Sequence, residues 1–131
     1  MPPKAMPPKV IRKAEGRARK DARAEDIALA LMGVGPLPVD MIADDATWER
    51  GQDAPAAGRT AIAKVFDALT APDTITVDQV VTHGKAASVS GRLTRGAQER
   101  IFCHVIRHTT EAATQIAQIV SFEHAEGRHD R

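Results

Sequence analysis

From Ile75 onward, apolar and polar side chains alternate along the chain. The segments "ITVDQVVT" (75–82), "KAASVSGRL" (85–93), "RIFCHVIRH" (100–108) and "QIAQIVSFE" (115–123) each read with a period of two. That spacing puts successive side chains on opposite faces of a β-strand. Short segments separate the four strands: His83-Gly84, which suits a two-residue hairpin, then "TRGAQ" and "TTEAAT". Connections this short join antiparallel neighbours. The earlier part of the chain has a helical period. In "AIAKVFDAL", Ile62, Val65, Phe66 and Leu69 fall on one face, and Thr60 is placed to cap that helix. Helix formers also dominate "IRKAEGRARKDARAEDIALALM" after Val10, with Ile27, Leu31 and Ala24 or Ala28 forming a stripe in its last turns, and "GVGPLP" ends it. Between the helices, Asp40 is placed to cap a short helical turn, "ATWE" reads as a short strand, and "GQDAPAAGR" reads as a loop. Helices followed by a strand meander predict an α+β fold in which one curved, mostly antiparallel sheet wraps around the N-terminal helices. A curled sheet closed by helices is a cone, and a cone can hold a ligand.

A chain of 131 residues is expected to form one domain with a real core, burying about two thirds of its unfolded surface. Charge divides it in two. Residues 1–23 carry eight basic side chains against two acidic ones, while the rest carries ten basic and fifteen acidic. The expectation is a basic Pro/Lys/Arg-rich extension over residues 1–23 and a folded domain over 24–126. Its start, "PPKAMPPK", repeats PPK and should be extended, because proline blocks helix. An extension that solubilises by fraying into solvent, or that packs on its own body, is the plain reading of such an arm; a polyanion-binding arm is the sharper one. The arm has no aromatic side chains to stack on bases, so nucleic acid is not expected as a partner. No run of 18 apolar residues and no secretory leader is visible, so no membrane association is expected. The single cysteine, Cys103, has no internal disulfide partner, and a cytoplasmic location is the default. The absence of tyrosine excludes any mechanism that needs a phenol donor.

His104 is the residue that asks for an explanation. It lies mid-strand, on the face shared by Phe102 and Ile106, opposite Ile101, Cys103 and Val105. With His108 it has the i, i+4 spacing of a metal pair. On a strand that spacing spans about 13 Å, against about 6 Å on a helix, so one metal cannot bridge it. Cys103 and His104 face opposite sides and cannot form a nucleophile–base dyad. Gly58-Arg59 ahead of a helix suggests an anion site, though turn chemistry explains it as well. No phosphate loop, dinucleotide fingerprint or zinc spacing is present, and neither cofactor nor metal is expected.

"ADDATWERG", the glycine of "AAGRTAI", "ITVDQVVTHGKAASVSG", "FCHVIRH" and "IAQIVSFE", taken in this order over residues 24–125, resemble the nuclear transport factor 2-like superfamily and its small bacterial SnoaL-like members. The resemblance implies a conical α+β barrel with an apolar pocket between helices and sheet, and a homodimer formed through the outer sheet face. The superfamily includes ketosteroid isomerase, limonene epoxide hydrolase, scytalone dehydratase and polyketide cyclases, as well as members without known activity, so the fold does not give the reaction. Where the isomerase pattern has its general-base aspartate this chain has Arg50, and the tyrosine of its oxyanion hole has no counterpart. Where it has a protonated aspartate, this chain has His104. The dehydratase pattern of paired His and Asp is only imitated, by His83 or His104 with Asp45.

His104 is therefore either a buried histidine satisfied by a serine such as Ser121 or Ser88, or a ligand-binding and candidate catalytic acid–base group. Trp48 is core or pocket wall, and the same holds for Phe66, Phe102, Ile106 and Ile119. Asp44-Asp45 reads as cap or surface. The expected ligand-binding set is Trp48, Phe66, Phe102, His104, Ile106, Ile119 and Ser121, around a small apolar molecule. Acid–base chemistry of the cyclase, isomerase or dehydratase kind is open to such a pocket; the alternative is a non-catalytic homodimeric scaffold. Outward-facing Ile101, Cys103, Val105, Ile116, Ala117 and Val120 are the expected dimer surface.

Overall fold

The computed structural model describes residues 8–12, 19–51, 53–112 and 114–125. In chain order its elements are Lys9–Arg12 (β1), Arg19–Ala30 (α1), a 3₁₀ turn at Val39–Met41, Ile42–Arg50 (β2), Ala56–Ala57 (β3), Arg59–Asp67 (α2), Thr74–His83 (β4), Ala86–Arg95 (β5), Gln98–His108 (β6) and Ile116–Ala125 (β7). All seven strands join one sheet in the order β1-β4-β5-β6-β7-β2-β3. The four strands read from the period-two pattern are present and form the expected antiparallel meander. The architecture is α+β, with one sheet left open between β1 and β3 and the helices on its concave side.

Four local expectations are corrected. The helix does not begin near Val10. Lys9–Arg12 instead runs parallel to β4, with Val10 beside Ile75 and Arg12 beside Val77. Two β-branched residues next to an unpaired sheet edge gain more from ladder hydrogen bonds than from a helix that prolines already block. Part of the predicted basic extension is therefore an edge strand; residues 1–7 and residue 126 onward lie outside the described residues. "ATWE" belongs to a nine-residue strand that pairs parallel with β7, and a β-bulge lies between Ile42 and Thr47. The hairpin turn is Gly84-Lys85 rather than His83-Gly84: His83 pairs with Ala86, and Gly84 takes a φ of 59°. The residue before α2 is Gly58, not Thr60. Arg59 donates from Nε to the Ile42 carbonyl at 2.7 Å and lies 3.0 Å from Asp44. These contacts occupy the arginine that the anion-site reading needed.

The core lies on the concave face in two clusters, with α1 between them. Ala24, Ala28, Leu29 and Met32 pack on Ile75, Val77, Val89, Leu93 and Phe102. Ile27 and Leu31, from the other side of the same helix, pack with Ile42, Trp48, Ile62, Ile106, Ile116 and Ile119. The residues of the expected stripe are all buried, but they divide between the two clusters, Ala24 and Ala28 in one and Ile27 and Leu31 in the other. Glu25 of α1 is a buried charge, 1% exposed, and meets Arg12 Nε at 3.0 Å, which ties β1 to the helix. Among the described residues no helix is long and apolar enough to cross a membrane.

The sheet bends where β4 carries a bulge between Val77 and Gln79, opposite Gly91 on β5. A Cβ at Gly91 would collide with the Thr76 carbonyl oxygen and lie 3.0 Å from the Phe102 ring. Gly91→Ala should therefore cost about 2 kcal/mol or more in urea unfolding, since backbone on one side and a packed ring on the other leave no room to relax. A change below about 0.5 kcal/mol would show that the bend does not depend on the close approach.

Candidate functional site

Strands β6, β7 and β2 are neighbours, and their register brings three polar side chains together. His104 stands opposite Ser121, and Arg50 stands beside Ser121 from the other side. Trp48, two residues before Arg50, lies beside Ile119. Trp48 Nε1–H donates to Ser121 Oγ at 2.8 Å, and Ser121 Oγ lies 2.7 Å from His104 Nδ1. The indole nitrogen can only donate, so it occupies one lone pair of the serine oxygen. The serine hydroxyl hydrogen then has His104 Nδ1 as its acceptor. That assignment gives the serine hydrogen an acceptor and, in a neutral ring, places the imidazole hydrogen on Nε2.

His104 is 4% exposed. Burial pushes its pKa down from 6.5 to about 4, against the opposing pull of the Glu123 carboxylate. The ring is therefore neutral at pH 7. Its Nε2 is buried and has no hydrogen-bond partner.

His104, Ser121 and Trp48 form the floor of a cavity of about 360 Å³. Leu31 and Met32, just after α1, and Leu69, after α2, supply an apolar wall. The rim is charged: Arg50, Asp53, Arg95, Arg100 and Glu123. Glu123 accepts from Arg100 Nε at 2.7 Å and lies 3.5 Å from Arg95 Nη2. Arg95 also donates to the Thr70 carbonyl at 2.7 Å, which ties the rim to the segment after α2. Arg50 lies over the Trp48 ring, 5.5 Å from its centroid. Its nearest carboxylate is Asp53 at 3.8 Å, and its Nε is buried without a partner.

Of the residues expected around the ligand, the structure brings Trp48, His104 and Ser121 to the cavity. Phe66 packs on Trp48 at 5.4 Å between ring centroids, as part of the core. Phe102 belongs to the opposite cluster and touches the His104 ring at 5.6 Å. Ile106 and Ile119 are completely buried in the core. These four do not line the cavity. The expected apolar pocket is also corrected: it is apolar on one wall and charged at the rim. Sequence reasoning missed Arg95, Arg100, Glu123 and Asp53. A signal for two of them was present, because Arg100 shares the strand face of Phe102 and His104, and Glu123 shares that of Ser121. The other pairings considered do not assemble. Asp45 and His83 are exposed, away from the cavity. Cys103 faces the opposite side of the sheet, with Sγ 3.9 Å from Ser88 Oγ. Among the described residues, no three His, Cys, Asp or Glu side chains converge as metal ligands would.

No protein-family model matches the sequence, and no curated protein sequence matches it. Solved structures do. A candidate ketosteroid isomerase from Kribbella flavida superposes with a TM-score of 0.65 at 19% identity, covering 85% of this chain and 81% of its own. An NTF-2 like protein of unknown function from Burkholderia xenovorans gives 0.63 at 13% identity, covering 86% of each chain. SalBIII, an epoxide hydrolase/cyclase-like enzyme with a role in pyran ring formation in the polyether salinomycin, gives 0.54 at 19% identity, covering 81% of this chain and 90% of its own. At such identities the likeness is one of fold: this chain carries the nuclear transport factor 2-like fold, in the form also taken by a structure of the SnoaL-like family from Agrobacterium tumefaciens.

Proposed function

We propose that the protein is a small-molecule-binding domain whose ligand enters the cavity above Trp48, Ser121 and His104. The observation that supports this most is the Nε2 of His104. A buried imidazole nitrogen without a partner is costly, and native proteins keep few of them. Here it belongs to a ring fixed by two hydrogen bonds in series, at the floor of a cavity large enough for a small organic molecule. An apolar wall and a few placed polar groups are the usual composition of such a site. The open volume also favours ligand binding over the reading of a filled, purely structural cone.

A second reading, catalysis of the isomerase or cyclase kind, is favoured by one feature. A neutral imidazole N–H held in place at a buried floor can donate to a carbonyl as it gains negative charge. The Kribbella and salinomycin proteins, by their descriptions, belong to such chemistry. In this chain His104 would polarise the substrate rather than abstract a proton, since a pKa near 4 makes the imidazole a weak base at pH 7.

The expected dimer is proposed on the convex face. Val105 lies opposite Val120, and Cys103 opposite Phe122, which is 51% exposed. Ile101 continues the patch, whereas Ile116, expected to face outward, is completely buried inside. A second copy of the chain would cover these residues.

Three measurements check these readings. Trp48 is the only tryptophan, so its fluorescence reports the cavity directly. Titration with a library of small ketones and acids should give saturable changes for some members. His104→Leu should weaken those by about fivefold, the loss of one hydrogen bond, while the fold is retained. A library without a single saturable response would remove the ligand-binding reading. The second measurement is stability against pH. Above pH 6.5 His104 is neutral in both the folded and unfolded states and contributes nothing. As pH falls from 6.5 to 4 the unfolded chain takes up a proton that the folded chain refuses, so the native state loses about 3 kcal/mol that His104→Leu does not lose. The difference in unfolding free energy between the two proteins should therefore shift by that amount from pH 7 to pH 4; a flat difference would place the ring in water. Finally, sedimentation at micromolar concentration should show a dimer that Val105→Glu dissociates, and a wild-type monomer would dismiss the convex interface.

A further inference from the structure

We propose that the cavity is built for an organic carboxylate, an acid with an apolar body, and that Arg50 is the residue that reads its charge. The inference rests on the ligand-binding reading of the cavity and adds to it the chemical class. Both orphaned atoms at the site act as donors when the Ser121 hydroxyl gives its hydrogen to His104 Nδ1: Arg50 Nε–H and His104 Nε2–H. A partner for both must offer acceptors. The rim charges sharpen this. Arg95 and Arg100 share the one Glu123 carboxylate, at 3.5 and 2.7 Å. Arg50 faces only Asp53, at 3.8 Å, whose side chain is 68% exposed. Three guanidiniums against two carboxylates leave the rim with one net positive charge, and among the described residues Arg50 is the rim arginine with a buried donor that has no partner.

The shape of the group agrees. Nε–H and the neighbouring Nη–H of a guanidinium form a straight edge that matches the two oxygens of a carboxylate. Trp48, beneath the guanidinium, holds it in place. Arg50 and His104 flank Ser121 on adjacent strands, about 10 Å apart between backbones at the usual strand spacing. A molecule bound by its carboxylate at Arg50 can therefore extend towards His104 and present a carbonyl or hydroxyl oxygen there. Its carbon skeleton lies against Leu31, Met32 and Leu69. A cation would meet Arg50 directly, and a neutral molecule would leave its charge unanswered.

The test compares two probes of the same body, 4-phenylbutyrate and 4-phenylbutan-1-ol, by Trp48 fluorescence in the intact protein at pH 7 and physiological salt. Wild type should bind the acid at least tenfold more tightly than the alcohol. In Arg50→Gln the acid should lose that advantage while the alcohol binds as before, and Arg50→Lys, which keeps the charge but not the edge, should fall between the two. Equal binding of acid and alcohol by wild type would overturn the carboxylate assignment and leave the binding site standing. A preference for the acid that survives in Arg50→Gln and Arg50→Lys would overturn the role of Arg50. Failure of both probes to bind at millimolar concentration would overturn this proposal, and with a silent ketone and acid library it would overturn the binding site too.

Discussion

A seven-stranded sheet that encloses both a core and a cavity has to bend, and here the bend depends on a side chain that is missing. At Gly91 the Thr76 carbonyl and the Phe102 ring come close enough to exclude a Cβ, opposite the extra residue that bulges β4. The bulge kinks one strand and the glycine lets its partner follow. Because the sheet curls, α1 can present two sides to it at once: Ala24, Ala28 and Leu29 to one half, Ile27 and Leu31 to the other. The cavity opens beside the residues that follow that helix, Leu31 and Met32, where the floor of β6, β7 and β2 stays uncovered. The volume of the site is thus a consequence of curvature and of where one helix stops.

At the cavity floor the controlling fact is that a single hydroxyl serves two neighbours. Ser121 accepts from Trp48, whose indole can only give a hydrogen, and the serine's own hydrogen then finds its acceptor in His104 Nδ1. The consequence is carried along the chain of bonds to the tautomer of His104, whose remaining hydrogen then belongs to Nε2. Burial keeps the ring neutral, so the site holds a donor without a second full charge beside Arg50. Polar groups buried in a low-dielectric setting are useful only if they are fixed, and a relay across three strands fixes this one.

The basic N-terminal segment has a structural part that its composition conceals. Lys9–Arg12 covers the edge of β4, which would otherwise present unpaired backbone groups. Arg12 reaches Glu25, the buried acid of α1, and Asp26 beside it. A buried carboxylate without a cationic partner is expensive, so the strand and the helix stabilise each other's unusual member. Charge excess along a sequence says that an arm is basic; it does not say which of its residues is tied to the fold.

Much of the architecture was legible in the residues alone, because strand and helix periods are local. Alternation placed the four long strands and put His104 on the face of Phe102 and Ile106; helical spacing placed the apolar stripes of both helices. The parity that turned His104 inward also made Ser121 a natural partner, and that pair is present. What stayed hidden has one physical origin, the order of strands in the sheet. Nothing local tells "ATWE" that it extends to nine residues, since its partner β7 lies about seventy residues away in the sequence, nor tells Val10 that an open edge of β4 will draw it out of a helix. Arg95, Arg100 and Glu123 sit on three different strands and looked like ordinary surface charges, and Arg50 stood out only as a departure from the isomerase pattern. They became the rim of one cavity only when β2 settled beside β7 and the sheet curled. Alternation determined which residues face inward, except where a bulge beside His108 turned Ile116 in; the curl and the strand order decided which of those residues meet.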